Sequence, residues 1–305
     1  MFHFPPGSGT RPQRALRAAV LLMLLVLLGN NCNGGKPVVH GNRVEVDLDR
    51  HAWLGNGGSK AIVWFLDGDA QITCEDGSVY SVGNRDRIHM FEGCGSVHVV
   101  MPDGYVSDRG QMTAIAVHEA FHALVQLSTQ SNMRLDAVES ISLDMKGLST
   151  ENTTRFFKLI ANALSSHEGR LPCNELKRLF LSLSSGERRY VVWGSYIEWP
   201  AEFYMSTTLG FDDAKYLQFR KGYPRWTEVD WKYVAGYFAM KRIESRFGRR
   251  SWQTAYTGGQ HPLDALWSSL GCEDRLLPPS PLVKYSPGAF HPLNTLGKSS
   301  QAPRR

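Results

Sequence analysis

The spacing of hydrophobic residues changes near residue 109 of this 305-residue chain. This change constrains the possible folds more than any other feature of the sequence. Before it, apolar residues alternate with polar ones, as Val44, Val46 and Leu48 do, which is the period of a half-buried β-strand. After it, apolar residues recur at helical spacing, for example in segments 111–129 and 153–166. Strands followed by helices predict an α+β fold, with an N-terminal antiparallel β-sheet packed against a mainly helical C-terminal part.

The first 31 residues have the pattern of an export signal. Three arginines precede residues 18–29, a run of twelve apolar or small residues. Such a run is typical of a signal peptide and is short for a membrane span, which needs about 20 residues. We therefore predict an exported protein, secreted or periplasmic, that could attach to a membrane only through this N-terminal segment. Cys32, just behind the run, offers lipid anchoring as an alternative, although Asn31 stands where lipoprotein signals place a small residue.

The chain then divides into three further segments. Residues 32–109 form a predicted β-rich subdomain, residues 110–277 a helical subdomain, and residues 278–305 a Pro-rich polar tail. The formal net charge is +5, but six basic residues lie in segments 1–31 and 287–305 without any acid, which leaves about −1 for the body. Because phosphate binding needs a concentrated basic surface, this distribution argues against a nucleic-acid partner.

Cysteine content agrees with export. Apart from Cys32, the chain contains Cys74, Cys94, Cys173 and Cys272, and an even number of cysteines in an exported protein predicts disulfides. Four cysteines allow three pairings. We expect Cys74 to pair with Cys94 and Cys173 with Cys272, because each bridge then stays within one region of the chain.

One pentapeptide, His118-Glu119-Ala120-Phe121-His122, carries the chemistry of the predicted site. Histidines four residues apart on a helix project from the same face, so both imidazoles can bind one zinc ion. Glu119 lies a quarter-turn away and is placed to reach a water molecule at the metal rather than the metal itself. The surrounding sequence is apolar, and two histidines buried there need partners.

A third metal ligand is expected much later in the chain. The segment Pro200-Ala201-Glu202-Phe203-Tyr204 resembles the third-ligand helix of gluzincin metallopeptidases, in particular their lethal-factor-like branch. In that register Glu202 is the ligand, and Pro200 would begin the helix, as proline often does. A second register, matched to the EGxAEY segment of other gluzincins, makes Glu198 the ligand, although Trp199 replaces the glycine of that pattern.

The resemblance implies a zincin-like fold for the helical part and a zinc peptidase activity. Zn²⁺ would be held by His118, His122 and Glu202, and Glu119 would act as general base on a metal-activated water. The same branch uses a tyrosine upstream of the ligand to stabilise the oxyanion, which points to Tyr196, with Tyr190 and Tyr204 as alternatives.

The resemblance also concerns the substrate. Gluzincin-like sheets bind extended polypeptides along an edge strand, and the strand predicted at 96–101 precedes the helix that carries the histidines. Two alternatives remain open. The chain could be a non-catalytic binding or scaffold protein on a zincin frame, or a zinc hydrolase acting on cell-wall peptides.

Overall fold

The structure is a computed structural model that describes residues 37–48, 59–66, 68–74, 76–82, 89–102, 106, 108–126, 148–166, 173–222, 230–272 and 276–277. The predicted signal peptide, Cys32 and the predicted polar tail lie outside the described residues. The predicted domain limits therefore stay predictions. Within the described part the fold is α+β, with strands in the N-terminal part and mainly helices after residue 108.

Seven described strands form two sheets. They are β1 (Val38–His40), β2 (Arg43–Leu48), β3 (Ser59–Leu66), β4 (Ala70–Thr73), β5 (Val79–Val82), β6 (His89–Gly93) and β7 (Ser96–Pro102). The larger sheet has the order β1-β2-β3-β7-β6, and β4 pairs with β5 in a separate hairpin. That hairpin, predicted from the Asp76-Gly77 turn, is confirmed, and Gly77 adopts the positive φ of 79° that the turn requires.

The larger sheet is mixed, so the prediction of a purely antiparallel sheet is wrong. β2 runs antiparallel to β3, but β3 and β7 are parallel, with Val63 opposite Val99. The β4–β5 hairpin and β6 lie between β3 and β7 in the chain, which is enough chain for β7 to return in the direction of β3. The prediction that 96–101 is an edge strand is wrong for the same reason. β7 lies between β3 and β6, and β6 is at the edge of the sheet.

Helices make up most of the described residues after residue 108. They are α1 (Arg109–Phe121), α2 (Glu151–Ser165), α3 (Cys173–Ser182), α4 (Ser185–Thr208), α5 (Asp213–Lys221), α6 (Trp231–Phe247), α7 (Arg249–Thr257) and α8 (Pro262–Ser269). A π-helical turn, His122–Gln126, continues α1. The prediction that Pro200 begins a helix is wrong, because Pro200 lies inside the 24-residue α4. That helix begins instead at a capping box formed by Ser184 and Glu187.

One hydrophobic core joins the sheet to the helices. The alternation in β2 places Val44 and Val46 on the buried face, and β3 contributes Val63 and Phe65 to that same face. α1 packs on this face, and α4 and α6 pack against each other behind it. The opposite face of the sheet carries a smaller cluster, where Ile72 of the β4–β5 hairpin covers Val100. The sheet thus supports α1 from one side, and α4 meets α1 from the other.

Both predicted disulfides are present. Cys74 pairs with Cys94 and ties the β4–β5 hairpin to the turn between β6 and β7. Cys173, the first residue of α3, pairs with Cys272, just after α8. Disulfides persist in oxidising compartments, so these two bridges indicate an exported environment. None of the helices formed by described residues is both long and apolar enough to cross a bilayer.

Candidate metal centre

The α1 helix places the HEAFH residues together. Asp108 caps the helix, because its carboxylate accepts a hydrogen bond from the backbone N–H of Gln111 at 2.9 Å. One turn apart, His118 and His122 lie side by side, and their ring centroids are 4.7 Å apart. Possible ligand atoms of His118, Glu119 and His122 lie within 4.8 Å of one another. This group of side chains could hold a metal ion.

A carboxylate from α4 faces both histidines. Glu198 Oε2 lies 3.1 Å from His118 Nε2 and 3.6 Å from His122 Nε2. Four ligands in a tetrahedron around a metal at 2.0–2.1 Å would be about 3.3–3.4 Å apart, so both distances from Glu198 Oε2 are close to the separation of ligands to one ion. Both His118 and Glu198 are buried. The residues present therefore fit a metal with nitrogen and oxygen ligands.

Glu202 reaches the same cluster from its other side. Its Oε2 lies 3.3 Å from Nδ1 of His118, the nitrogen that faces away from Glu198. Arg220 forms an ion pair with this carboxylate through two nitrogens, and the Tyr216 hydroxyl donates to Oε1 at 2.6 Å. Oε1 of Glu202 thus accepts two hydrogen bonds, whereas Oε2 is in an ion pair with Arg220 and accepts no hydrogen bond. This arrangement favours Glu198, the alternative register, over Glu202 as a metal ligand.

Each histidine has a polar oxygen beside Nδ1 while Nε2 faces Glu198. For His122 this oxygen is Oε1 of Gln126, which is hydrogen-bonded at 2.5 Å, and for His118 it is Oε2 of Glu202, which lies 3.3 Å away in an ion pair. Metal-binding histidines characteristically donate their second N–H to such an acceptor, which fixes the tautomer and the orientation of the ring. The π-helical turn carries Gln126 to this position, four residues after His122. The arrangement around both rings is the one expected of metal ligands.

Two buried cations balance the two buried acids. Lys232, at the start of α6, donates to Glu198 Oε1 at 3.3 Å, and Arg220 pairs with Glu202. Burial alone would raise the pKa of Glu198, but Lys232 and the histidines hold it well below the usual range of a glutamate. Burial alone would likewise lower the pKa of His118, but the Glu198 and Glu202 carboxylates raise it to about 9. Both carboxylates are thus ionised at neutral pH.

The three tyrosines predicted from the sequence have other neighbours. The ring of Tyr196 packs against Tyr256 and His261, each with a centroid separation of 5.3 Å. Tyr204 packs against Phe121, and Tyr190 is buried against Phe157. A fourth tyrosine, Tyr233, contacts the cluster directly, with its ring 5.7 Å from that of His118.

Sequence analysis missed Gln126, Arg220, Lys232 and Tyr233. Gln126 continues the spacing of four that links His118 to His122, so helical periodicity could have indicated it. Glu198 and Glu202 repeat that spacing, and the match could have indicated that both acids face one partner helix. For Arg220, Lys232 and Tyr233 the sequence holds no comparable signal, because only the packing of α5 and α6 brings them to the site.

Comparisons with protein-family models, with curated proteins and with solved structures found no match to this chain.

Proposed function

We propose that this protein is an exported, zinc-dependent peptidase whose metal ion is held by His118, His122 and Glu198. One observation carries the proposal. One carboxylate oxygen lies at about ligand separation from two imidazole Nε2 atoms, and each imidazole has a polar oxygen beside its Nδ1. Zinc suits this donor set, and three protein ligands leave a fourth position for water or substrate, which is typical of catalytic zinc sites.

The chain itself would supply a base, which we assign to Glu119. A bound zinc ion lowers the pKa of a coordinated water to about 7 and polarises a carbonyl oxygen. Glu119 is half-buried beside the two histidines, and its carboxylate lies within 4.8 Å of their ligand atoms. It would accept a proton from the attacking water and deliver that proton to the nitrogen of the leaving amine. Glu198 and Glu202 are both engaged by cations, which leaves Glu119 as the acid of this cluster suited to the task.

Tyr233 is our candidate for the group that stabilises the developing oxyanion, in place of Tyr196. Its ring edge contacts His118, whereas the ring of Tyr196 packs against Tyr256 and His261. Cations also lie over the Tyr233 ring, with Arg220 at 4.4 Å and Lys232 at 4.5 Å from the centroid. A phenol held beside the ligands by such contacts could donate to a carbonyl oxygen that gains charge.

For the substrate we propose an extended polypeptide that pairs with the edge strand β6. β6 has β7 on one side and no second neighbour among the described strands, so the groups on its other side can pair with an added strand. The sheet lies against α1, the helix that carries the two histidines. This combination of sheet, histidine helix and glutamate helix is the zincin-like frame that we propose for the chain.

A comparison of Glu119→Gln with the wild type tests this function. Metal content and cleavage of an unfolded protein such as casein would be measured. The matched control is Glu175→Gln, which changes an exposed glutamate on α3. We expect Glu119→Gln to keep about one zinc per chain and to lose activity by about 10²–10⁴-fold, the usual contribution of a general base. Equal activity of Glu119→Gln and wild type would contradict the assignment. Metal binding without any wild-type cleavage would favour a scaffold role instead.

A further inference from the structure

Lys232 occupies an unusual place for a lysine, because its side chain is buried and only 6% of its surface is exposed. Its ammonium lies over three aromatic rings, at 4.5 Å from the centroid of Tyr233, 4.9 Å from Trp193 and 5.8 Å from Tyr190. Cation–π contacts of this kind stabilise a desolvated cation and restrict its position. The ammonium is therefore held in one place by its surroundings.

The backbone of α4 also makes room for this lysine. A Cβ atom added at Gly194 would lie 2.9 Å from Cδ and 3.2 Å from Cγ of Lys232, closer than side chains normally approach. Glycine at 194 thus allows the lysine stem to pass against α4. Glu198, one turn further along the same helix, receives the ammonium on its Oε1 atom at 3.3 Å.

The two oxygens of Glu198 consequently have different partners. Oε1 accepts from Lys232, and Oε2 faces Nε2 of His118 and Nε2 of His122. A carboxylate can bind a metal through one oxygen or through both, and the choice changes the coordination number. With Oε1 occupied by an ammonium, Glu198 has one oxygen for the ion.

The charges of the site also balance without any metal. Glu198 is paired with Lys232, and Glu202 is paired with Arg220, so neither buried carboxylate is left without a counter-ion. A buried charge that loses its partner is strongly destabilising. A zinc site without such cations would depend on the metal to stabilise its carboxylate ligand.

We propose that Lys232 is a positioning residue that restricts Glu198 to one-oxygen coordination and keeps the ligands assembled in the metal-free protein. This inference rests on the proposed metal site. It implies that the wild-type chain is folded before metal binds. It also implies that removing the ammonium makes folding depend more strongly on metal, because Glu198 then loses the cation that pairs with its Oε1 atom.

The test compares thermal unfolding of wild type and Lys232→Met, each with and without added Zn²⁺. Lys241→Met is the matched control, because Lys241 lies on the same helix at the surface and pairs with the partly exposed Asp213. We expect zinc to raise the unfolding temperature of Lys232→Met by about 5–10 °C more than that of wild type, since it neutralises an unpaired buried carboxylate. Lys241→Met should respond to zinc as wild type does.

A second readout follows coordination directly. Co²⁺ substituted for zinc absorbs visible light more weakly as its coordination number rises, so Lys232→Met, in which both Glu198 oxygens are free, should give a weaker cobalt spectrum than wild type. A merely structural lysine would change stability equally with and without metal and would leave the cobalt spectrum unchanged. Either of those results would overturn the inference.

The remaining outcomes are also informative. If wild type gains no stability from zinc, the proposed metal site fails, and the role of Lys232 fails with it. If wild type responds and Lys232→Met gives an equal response, only the role of Lys232 fails.

If Lys232→Met does not fold at all, the double variant Glu198→Gln/Lys232→Met decides in the metal-free state. Recovery of folding supports the unpaired carboxylate as the cause, and failure to recover overturns the inference.

Discussion

Glu198 and Glu202 differ in their neighbours rather than in their position on the helix. Both lie on the same face of α4, one turn apart, and both contact His118. Glu198 meets the Nε2 side with one oxygen directed to both histidines, whereas Glu202 meets the Nδ1 side and is paired with Arg220 and hydrogen-bonded by Tyr216. The same residue type thus serves as a candidate ligand at one position and as a support for a ligand at the other.

Replacing each acid by glutamine should separate these two roles. Glu198→Gln should lose zinc, because a neutral amide is a poor ligand for it. Glu202→Gln should still bind about one zinc per chain, with affinity reduced by about 10–100-fold, since it supports His118 without contacting the metal. Metal stoichiometry and zinc affinity of the purified variants are the measurements. Loss of zinc from Glu202→Gln together with retention by Glu198→Gln would restore the register first expected from the sequence.

The sequence was sufficient to predict the histidine pair, the glutamate beside it and the two alternatives for a third ligand. It could not decide between Glu198 and Glu202, because the deciding groups, Lys232 and Arg220, come from α6 and α5. The argument for Glu202 also used a local rule that does not hold here, that a proline is favoured at the start of a helix. In the structure Pro200 lies within α4, and tertiary contacts make that position possible.

At the scale of the element, Pro200 links α4 to the histidine helix. Proline has no N–H to give to the carbonyl four residues earlier, and its ring disturbs the neighbouring hydrogen bond. The two backbone carbonyls affected in this way accept hydrogen bonds from side chains of other elements. Tyr196 O accepts from the Tyr256 hydroxyl, and Ile197 O accepts from Gln126 Nε2, both at 2.8 Å. A carbonyl of the turn before Pro200 therefore provides the anchor for Gln126, the residue that holds His122.

This arrangement predicts different effects for two nearby variants. Gln126→Met removes the acceptor for His122 and the donor for Ile197 O, so we expect zinc affinity to fall by about 10–100-fold. Tyr256→Phe removes the donor to Tyr196 O and one acceptor of Gln126 Nε2, but it leaves the contacts of Gln126 with Ile197 O and His122. It should cost about 1–3 kcal/mol of stability with little change in affinity. Zinc titration and chemical denaturation of both variants provide the comparison, and equal zinc affinity in Gln126→Met and wild type would contradict it.

A second element carries a pH-sensitive cap. His261 precedes α8, its Nδ1 accepts from the backbone N–H of Leu263, and its Nε2 donates to Val192 O, both at 3.0 Å. Both nitrogens are used by the neutral ring, and burial lowers the pKa of His261 to about 4. An unfolded histidine has a pKa near 6.5, so the unfolded chain binds a proton that the folded chain does not bind. Stability should therefore fall as the pH drops from about 6.5 to about 4.

His261→Asn tests this contribution, because asparagine can still cap the helix but does not titrate. The free energy of unfolding would be measured against pH for both proteins. The variant is expected to be less stable than wild type at pH 7 and to lose less stability on acidification. Parallel curves through this window would show that His261 does not titrate on unfolding.

The order and direction of the strands in the sheet could not be predicted from the sequence. Alternation in β2 and the Asp76-Gly77 turn predict local structure, and both are confirmed. The parallel pairing of β3 with β7 is not encoded in either pattern, because alternating burial is compatible with both directions. The strand at the edge, β6, follows from that pairing and could not be predicted before it.

For the whole molecule, the two disulfides stabilise different halves. The bridge from Cys173 to Cys272 encloses α4 and α6, which carry Glu198 and Lys232, and it spans 99 residues. The bridge from Cys74 to Cys94 spans 20 residues and constrains the turn beside the edge strand. The HEAFH segment lies between the two loops and within neither. The candidate site therefore combines residues enclosed by the long disulfide loop with the HEAFH residues, which neither disulfide loop encloses.

The lengths of these loops predict unequal effects of removing the bridges. A disulfide restricts the unfolded chain more when its loop is longer, which gives about 3 kcal/mol for a loop of roughly 20 residues and about 5 kcal/mol for one of roughly 100. Cys173→Ser/Cys272→Ser should thus lose more stability than Cys74→Ser/Cys94→Ser. Denaturant unfolding of the two variants measures this, after mass spectrometry with alkylation finds no free thiol among the four cysteines of the wild type. The reverse order would mean that the short bridge stabilises folded contacts beyond its effect on the unfolded chain.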